Sequence, residues 1–415
     1  MNTSNLPIVI AGGGFTGLFT ALYLRHKKCS RPVILIDRQW RFIFKPLLYE
    51  LLTSEVKIDL VWPRYDELLV GSDITFIHDD ISKIDLKQSR ISLDSGLTYD
   101  YEYLVLALGS TTGYFNIPGA RENTFTFRMG EDVFRLGSHL RDCLQRATQE
   151  PDPLKKQQLL TFAIVGAGPV GVELAATLAD LLPIWYRALG GDARELQIVI
   201  LQRGKEILKG DANEVLRPVA EQLLQQRTAS VKLILNASVE EIGENSIRYK
   251  HEGHGEILAA NTIAWTAGTA THPLIKDLAV EQEYRDRQGK LIVNSTCQLP
   301  EYPEVFAGGD CGINLANPQP ALAQVAYQQA RGIATNIKAL CEGKAAKPVK
   351  VSLRGTLLKL GMNESVAEIY NRLEVKGKTG HLIRQATYLE MLPTPLHNFK
   401  ATTEWLTDAI FQKFI

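Results

Sequence analysis

Gly12-Gly13-Gly14-Phe15-Thr16-Gly17 decides the fold. The hexapeptide follows a short apolar run, Ile8-Val9-Ile10-Ala11, and opens a helical segment, Leu18 to His26. G-x-G-x-x-G between a strand and a helix has a physical logic. Gly12 permits a tight turn, Gly14 lets the backbone approach a pyrophosphate, and Gly17 lets the helix pack close to its strand. The helix N-terminus then faces the phosphate charge. Alone, the pattern also fits a glycine-rich turn. The context argues against that alternative. A second apolar strand, Val33-Ile34-Leu35-Ile36, ends in Asp37, twenty residues after Gly17. A carboxylate there accepts the hydroxyl protons of an adenosine ribose, and Arg38 follows it as a further candidate contact.

Farther along, the pattern returns. Phe162 to Val165 is an apolar strand, Gly166-Ala167-Gly168-Pro169-Val170-Gly171 repeats the loop, and Val172-Glu173-Leu174-Ala175-Ala176 continues as a helix. Two loops about 150 residues apart imply two dinucleotides in one chain. The economical pair is a bound FAD and an exchangeable NADH or NADPH, since hydride transfer needs donor and acceptor in contact. The second unit's strand, Gln197 to Leu201, ends at Gln202-Arg203 rather than at an acid. A neutral amide does not repel a 2′-phosphate, and Arg203 attracts one, which favours tolerance of NADPH. The alternative is that Gln202 bonds the ribose of NADH and Arg203 points to solvent.

Composition sets the outer bounds. The 415 residues are 45% hydrophobic and 22% charged, enough for two or three ordinary domains. Lys+Arg and Asp+Glu number 46 each, so nothing supports a nucleic-acid partner. Five cysteines, at 29, 143, 297, 311 and 341, form no C-x-x-C pair, which fits a reducing compartment without a disulfide framework. The first strand starts almost at once, leaving no signal peptide to expect, and no run approaches the ~18–20 apolar residues of a membrane span. His251-Glu252-Gly253-His254 reads as a solvated hairpin tip, and no metal site is expected.

The order of motifs resembles the two-dinucleotide-binding-domain flavoproteins. Tyr103-Leu104-Val105-Leu106-Ala107-Leu108-Gly109 is similar to the segment that returns to FAD, and Trp265-Thr266-Ala267-Gly268 to its counterpart in the second unit. Val305-Phe306-Ala307-Gly308-Gly309-Asp310 is similar to the late flavin motif, whose aspartate bonds the ribityl chain. Two more segments resemble the type II NAD(P)H:quinone oxidoreductases. Phe42 to Glu50, with Lys45, Pro46 and Leu47, is similar to the stretch beside the flavin. Ala323-Gln324-Val325-Ala326-Tyr327-Gln328-Gln329 is similar to the A-Q-x-A-x-Q signature that opens a helix at the quinone tunnel.

The resemblance implies an α/β chain of two Rossmann-like, glutathione-reductase-like domains plus a C-terminal membrane-associating module. The expected boundaries are 1–115 with 287–343 for FAD, 116–286 for NAD(P)H, and 344–415 for the module. It implies a non-proton-pumping, peripheral enzyme on the cytoplasmic membrane face, a homodimer, and a membrane quinone of plastoquinone, ubiquinone, menaquinone or phylloquinone type. Within that family the chain most resembles the cyanobacterial and plastid branch, some members of which reduce demethylphylloquinone.

By the same resemblance Gln324 and Tyr327 lie near the quinone and the flavin pyrimidine edge, and Glu173 faces the nicotinamide. Each has a plainer alternative. Glu173 can be a first-turn acid at a helix N-terminus. Tyr327 can be a core aromatic at helical spacing. Glu50 can be functional or a solvated helix charge. A sulfide:quinone enzyme of the same superfamily would need a redox cysteine pair near the flavin, a pattern not seen at Cys143, Cys297, Cys311 and Cys341. A third reading is a flavin-bound protein whose assembly responds to NADH.

Toward the end, 145–158 reads as a polar surface loop broken by Pro151 and Pro153, and 353–360 and 365–370 read as strands. The last segment, 399–415, carries Phe399, Thr402, Trp405, Leu406, Ala409, Ile410 and Phe414 on one helical face and Glu404, Asp408 and Gln412 on the other. Periodicity alone suits a helix docked on protein; a quinone that lives in lipid points instead to the bilayer interface.

Overall fold

The computed structural model describes residues 6–209, 216–369, 373–395 and 397–403. Two parallel sheets organise them. The first has the order Val305–Ala307, Tyr103–Leu106, Ile8–Ala11, Val33–Asp37, Ile74–His78. Ile8 pairs with Val33 on one side and Tyr103 on the other. The second has the order Ser230–Ile234, Gln197–Leu201, Thr161–Val165, Thr262–Trp265. The central strands are continuous apolar runs because both faces are covered, whereas the edge strands Ile74–His78 and Ser230–Ile234 carry polar residues and are partly exposed. Ile8 to Ala11 and Thr161 to Val165 are buried throughout.

The late strand Val305–Ala307 returns the chain to the first sheet after the second is finished. It delivers the helix Ala323–Cys341, which packs along the first loop helix, Phe15–His26. The two run in the same direction. Tyr327 meets Phe19 and Tyr23, with ring centroids 4.8 Å and 5.9 Å apart.

The C-terminal part is a three-stranded antiparallel sheet, Gly355–Lys359, Ser365–Ile369 and Leu373–Val375, with the helix Gly377–Glu390 against it. Among the described residues no helix is long and apolar enough to cross a membrane. Residues 397–403 are helical, with Ala401 buried and Phe399 exposed. The rest of the amphipathic segment, 404–415, lies outside the described residues.

Three local expectations change. The first loop helix starts at Phe15, because Gly14 already serves as its N-cap. Within 145–158 a helix forms, Pro153–Leu159. Asp152 caps it by accepting from the Leu154 N–H at 2.9 Å, and Pro153 occupies the first helical position, where a missing N–H costs nothing. A proline read as a breaker is thus a helix start. In the C-terminal sheet the first strand begins at Gly355, two residues later than expected. The His251–His254 hairpin turns through Glu252 and Gly253, both at positive φ, and no metal-holding group is found among the described residues.

Candidate functional site

Both glycine loops are built to the same steric plan. A Cβ on Gly17 would lie 1.8 Å from the Gly12 carbonyl oxygen, and one on Gly171 would lie 1.9 Å from that of Gly166. Gly12 and Gly166 both have positive φ, at 97° and 107°. The glycine at the third position of each loop behaves oppositely. A Cβ on Gly14 or Gly168 would meet no protein atom within 4 Å. Each caps the N-terminus of its helix, where backbone N–H groups point outward. Packing therefore demands Gly17 and Gly171, whereas Gly14 and Gly168 face open space at an anion-seeking helix end.

The residues ending the second strands also match. The Gly13 N–H donates to Asp37 Oδ2 at 2.5 Å, and the Ala167 N–H donates to Gln202 Oε1 at 3.1 Å. Asp37 Oδ1 accepts from the Gln39 N–H at 2.7 Å. Each carboxylate oxygen keeps a second lone pair for a ribose hydroxyl. Gln202 turns its amide nitrogen to the Glu206 carbonyl, at 3.3 Å. Arg203 is exposed and lies over the Phe115 ring at 6.0 Å. Arg38 is likewise exposed, its carbonyl 2.9 Å from His78 Nε2.

Behind the first loop lies a polar cleft. The Ala107 N–H donates to Ala11, and the Gly109 N–H to Cys311 Sγ at 3.0 Å, which gives Cys311 a structural partner. Ser110 Oγ donates to Asp310 Oδ2 at 2.6 Å, and Arg128 donates to the Ser110 carbonyl and hydroxyl. The Gly309 N–H donates to Gln329 Oε1 at 2.7 Å. Lys45 is exposed on the cleft, where partial desolvation and the Arg128 charge bring its ammonium below its ordinary value, with Asp310 opposing. Its neighbour Leu47 is buried, and Pro46 offers its carbonyl to Arg384 at 2.6 Å. Gly268, in the second unit, accepts from the Gly113 N–H at 3.3 Å. Open loop N-termini, an acid at the strand end and this cleft fit a dinucleotide and its flavin.

Ala323 starts the late helix. Gln324 donates to the Gly355 carbonyl at 3.0 Å and accepts from the Arg354 N–H at 3.2 Å, joining that helix to the C-terminal sheet. Tyr327 packs edge-on against Phe19 and Tyr23. It therefore has the core-aromatic surroundings weighed as its plainer alternative. Phe15 joins the same aromatic group, against Phe42 and Phe44 at 5.3 Å each. Thr16 is buried beside Gly308 and Gly309.

Glu173 and Glu50 meet in one buried cluster. Glu173 Oε1 accepts from the Lys359 backbone N–H at 2.7 Å, and the Tyr49 hydroxyl donates to its carboxylate. Glu50 is 2% exposed and pairs with Arg384 and with Lys359 Nζ, the latter at 3.2 Å. Lys359 Nζ also reaches Glu55 at 2.8 Å. The reading of Glu50 as a solvated helix charge is thereby overturned: two cations from the C-terminal part sit on it. Burial pushes the Glu50 carboxyl up, but Arg384 and Lys359 win and hold it at about 2. Burial pushes Glu173 up too, and there the opposing Arg384 charge, Lys359 N–H and Tyr49 hydroxyl do not reverse it. Two cations balance Glu50 and Glu55, so Glu173 is the carboxyl left to take a proton.

Tyr49, Glu55, Lys359 and Arg384 escaped the sequence reading, as did Ser110, Arg128 and Gln329. One signal was present. Glu50 stands between Leu47-Leu48 and Leu51-Leu52, and Lys359 between Leu357-Leu358 and Leu360, so each charge is embedded in an apolar run.

A family model for pyridine nucleotide-disulphide oxidoreductases matches residues 6–330. The chain is 31% identical to the demethylphylloquinone reductase NdbB of Synechocystis sp., covering 98% of this chain and 97% of that protein. It is 30% identical to the alternative NAD(P)H-ubiquinone oxidoreductase C1, chloroplastic/mitochondrial, of Arabidopsis thaliana, covering 97% and 80%. Its fold matches that of an NDH2 from Plasmodium falciparum solved in complex with NADH, with a TM-score of 0.85 over 98% of each chain at 18% identity.

Proposed function

The chain belongs to the pyridine nucleotide-disulphide oxidoreductases, among the type II NAD(P)H:quinone oxidoreductases, and on that premise we propose that it is an FAD-dependent NAD(P)H:quinone oxidoreductase. FAD, when bound, would supply two-electron redox chemistry between a nicotinamide donor and a quinone acceptor. The carrying observation is the pair of loops whose third-position glycines, Gly14 and Gly168, open into free space at helix N-termini.

The chain's own residues bind, orient and handle protons. Gly12, Gly14 and Gly17 with Phe15 and Thr16 would hold the FAD pyrophosphate, Asp37 its ribose, and Asp310 its ribityl chain. Lys45, Ala107, Gly109 and Gly309 would line the flavin cleft. Gly166, Gly168, Gly171, Gln202 and Gly268 would hold the nicotinamide nucleotide. Quinone reduction consumes two protons, and Glu173, raised by burial, is the group suited to hold one near neutral pH. This reading assigns 1–115 with 287–343 to FAD, 116–286 to NAD(P)H and 344–415 to the C-terminal module. It is supported by the two parallel sheets, which draw their strands from the first two of those parts.

The enzyme works as a homodimer on the cytoplasmic face of a membrane, in keeping with its family resemblance and with Leu382 and Phe399, which are 63% and 68% exposed on the C-terminal module. The decisive assay is steady-state quinone reduction with NADH against NADPH, using benzoquinones and naphthoquinones, beside rapid mixing of the holoenzyme with each donor. Reduction of the flavin by a donor followed by turnover with a quinone is expected. A flavin left oxidised by excess NADH and NADPH would end this reading. Turnover with naphthoquinones alone would select the demethylphylloquinone-type acceptor.

A further inference from the structure

Phe115 stands where a turn asks for glycine or asparagine. The Ile117 N–H donates to the Tyr114 carbonyl at 3.0 Å, and the two residues between them, Phe115 and Asn116, both have positive φ, at 52° and 57°. That is the pattern of a type I′ turn, whose central positions suit Gly, Asn and Asp because a larger side chain is crowded there. Asn116 conforms and Phe115 does not. Core burial does not explain the exception, since Phe115 is 58% exposed. Strain of this kind persists where the surroundings enforce it, and it clusters at ligand-binding sites.

Here the flanking backbone is fixed on both sides. Before the turn, Ser110–Thr112 pairs antiparallel with Thr269–Thr271, and the Gly113 carbonyl accepts from Trp265 Nε1 at 3.1 Å. Tyr114 packs on Trp265, ring centroids 5.8 Å apart. After the turn, the Pro118 carbonyl accepts from the Ile242 N–H at 2.9 Å. The Phe115 ring is thereby set down on Gly268, where any Cβ would collide with it. Arg203 lies over the same ring, its guanidinium carbon 6.0 Å from the centroid.

Those two neighbours put the ring across the second nucleotide loop. Thr161–Val165 lies between Gln197–Leu201 and Thr262–Trp265, all three parallel, and Gly166 continues it. Arg203 is two residues past one flanking strand and Gly268 three past the other. A ring in contact with both spans the crevice at the carboxyl ends of the strands, where open α/β sheets bind their ligands. We propose that Phe115 is a binding residue for the nicotinamide donor, its ring the platform on which the donor's adenine stacks. This rests on the reading of the second loop as the nicotinamide-nucleotide site. Purines stack on aromatic faces, and the cation–π contact keeps Arg203 beside the same ring. The adenosine half of the donor carries no reacting atom. Loss of the platform therefore weakens donor binding without slowing hydride transfer in the filled site.

The test is Phe115→Asn in the full-length holoenzyme, which removes the ring and keeps a residue that tolerates positive φ. Its thermal melt should be no lower than the parent's. KM for NADH and for NADPH should each rise about tenfold, with kcat for a water-soluble quinone within about twofold of the parent. ADP-ribose, which carries the adenosine half and no nicotinamide, should bind about tenfold more weakly by calorimetry. Reduced nicotinamide mononucleotide, which lacks the adenosine half, should reduce the flavin at the parent's rate. Phe115→Tyr keeps an aromatic face and should hold the parent's constants. Phe115→Gly, which relieves the turn outright, takes the place of the Asn variant if that chain fails to fold. Ring-free variants with the parent's KM and ADP-ribose affinity, or with tighter donor binding, would overturn the proposal and leave the donor site standing. A parent flavin reduced by neither NADH nor NADPH would overturn the donor reading and the platform with it.

Discussion

The Glu173 carboxylate accepts a hydrogen bond from the backbone N–H of Lys359 at 2.7 Å, across 186 residues of chain. Glu173 belongs to the helix of the second nucleotide loop, and Lys359 to the C-terminal sheet. The contact fixes the carboxyl while leaving its proton free to exchange, and burial favours its neutral form. Glu173→Gln keeps an oxygen for the Lys359 N–H and removes the titratable proton. Flavin reduction by NADH should stay near the wild-type rate, while quinone-dependent reoxidation slows by about a hundredfold. Rapid mixing of each half-reaction checks this. Equal rates in both halves would remove Glu173 from the proton path.

Glu50 has the opposite titration. Its folded value, about 2, is below the ordinary 4.5, so its ionised form contributes stability above about 4.5. That contribution is lost as pH falls through the window from about 4.5 to about 2. Glu50→Gln leaves Arg384 and Lys359 buried with one counter-charge fewer, which costs about 3–5 kcal/mol. Denaturant titrations at pH 7 should show that loss, and the acid-induced transition of the variant should lack the Glu50 phase. A variant as stable as the parent at pH 7 would contradict the pairing.

The two kinds of loop glycine separate packing from binding. Gly17→Ala puts a methyl 1.8 Å from the Gly12 carbonyl carbon's oxygen and should yield little folded protein. Gly14→Ala meets open space, so the chain should fold with its stability within about 0.5 kcal/mol of the parent. Its flavin affinity should fall about tenfold or more, because the methyl occupies the space a pyrophosphate needs. Flavin retention on gel filtration, beside thermal melts of the flavin-free protein, distinguishes the two.

Donor choice rests on Gln202, whose Oε1 is 3.1 Å from the Ala167 N–H. Gln202→Glu preserves that acceptor and adds a negative charge. The ratio of kcat/KM for NADH over NADPH should rise about tenfold, roughly 1.4 kcal/mol. An unchanged ratio would place the 2′-position away from Gln202.

Membrane attachment is tested on the described part of the module. Leu382→Glu with Phe399→Glu removes two exposed apolar side chains. Co-sedimentation with phospholipid vesicles should fall about tenfold, while turnover of a water-soluble quinone is kept. Undiminished vesicle binding would move the lipid contact elsewhere.

The sequence by itself determined both nucleotide units. Gly12, Gly17, Gly166 and Gly171 are dictated by contacts with backbone only a few residues away or with the next strand, so a steric requirement is written at fixed spacing. Asp37 and Gln202 were legible for the same reason: each ends the strand beside its loop. Only the tertiary structure decided what the buried charges do. Glu50, Glu55, Glu173, Lys359 and Arg384 come from four distant segments, and beyond the apolar runs around Glu50 and Lys359 nothing in the sequence sets them apart from solvated charges or pairs them. Tyr327 shows the converse, since helical spacing could not say whether the aromatic ring met a quinone or Phe19. Local geometry repeats and can be read along the chain; charge pairing depends on which elements lie side by side, and that is set by packing.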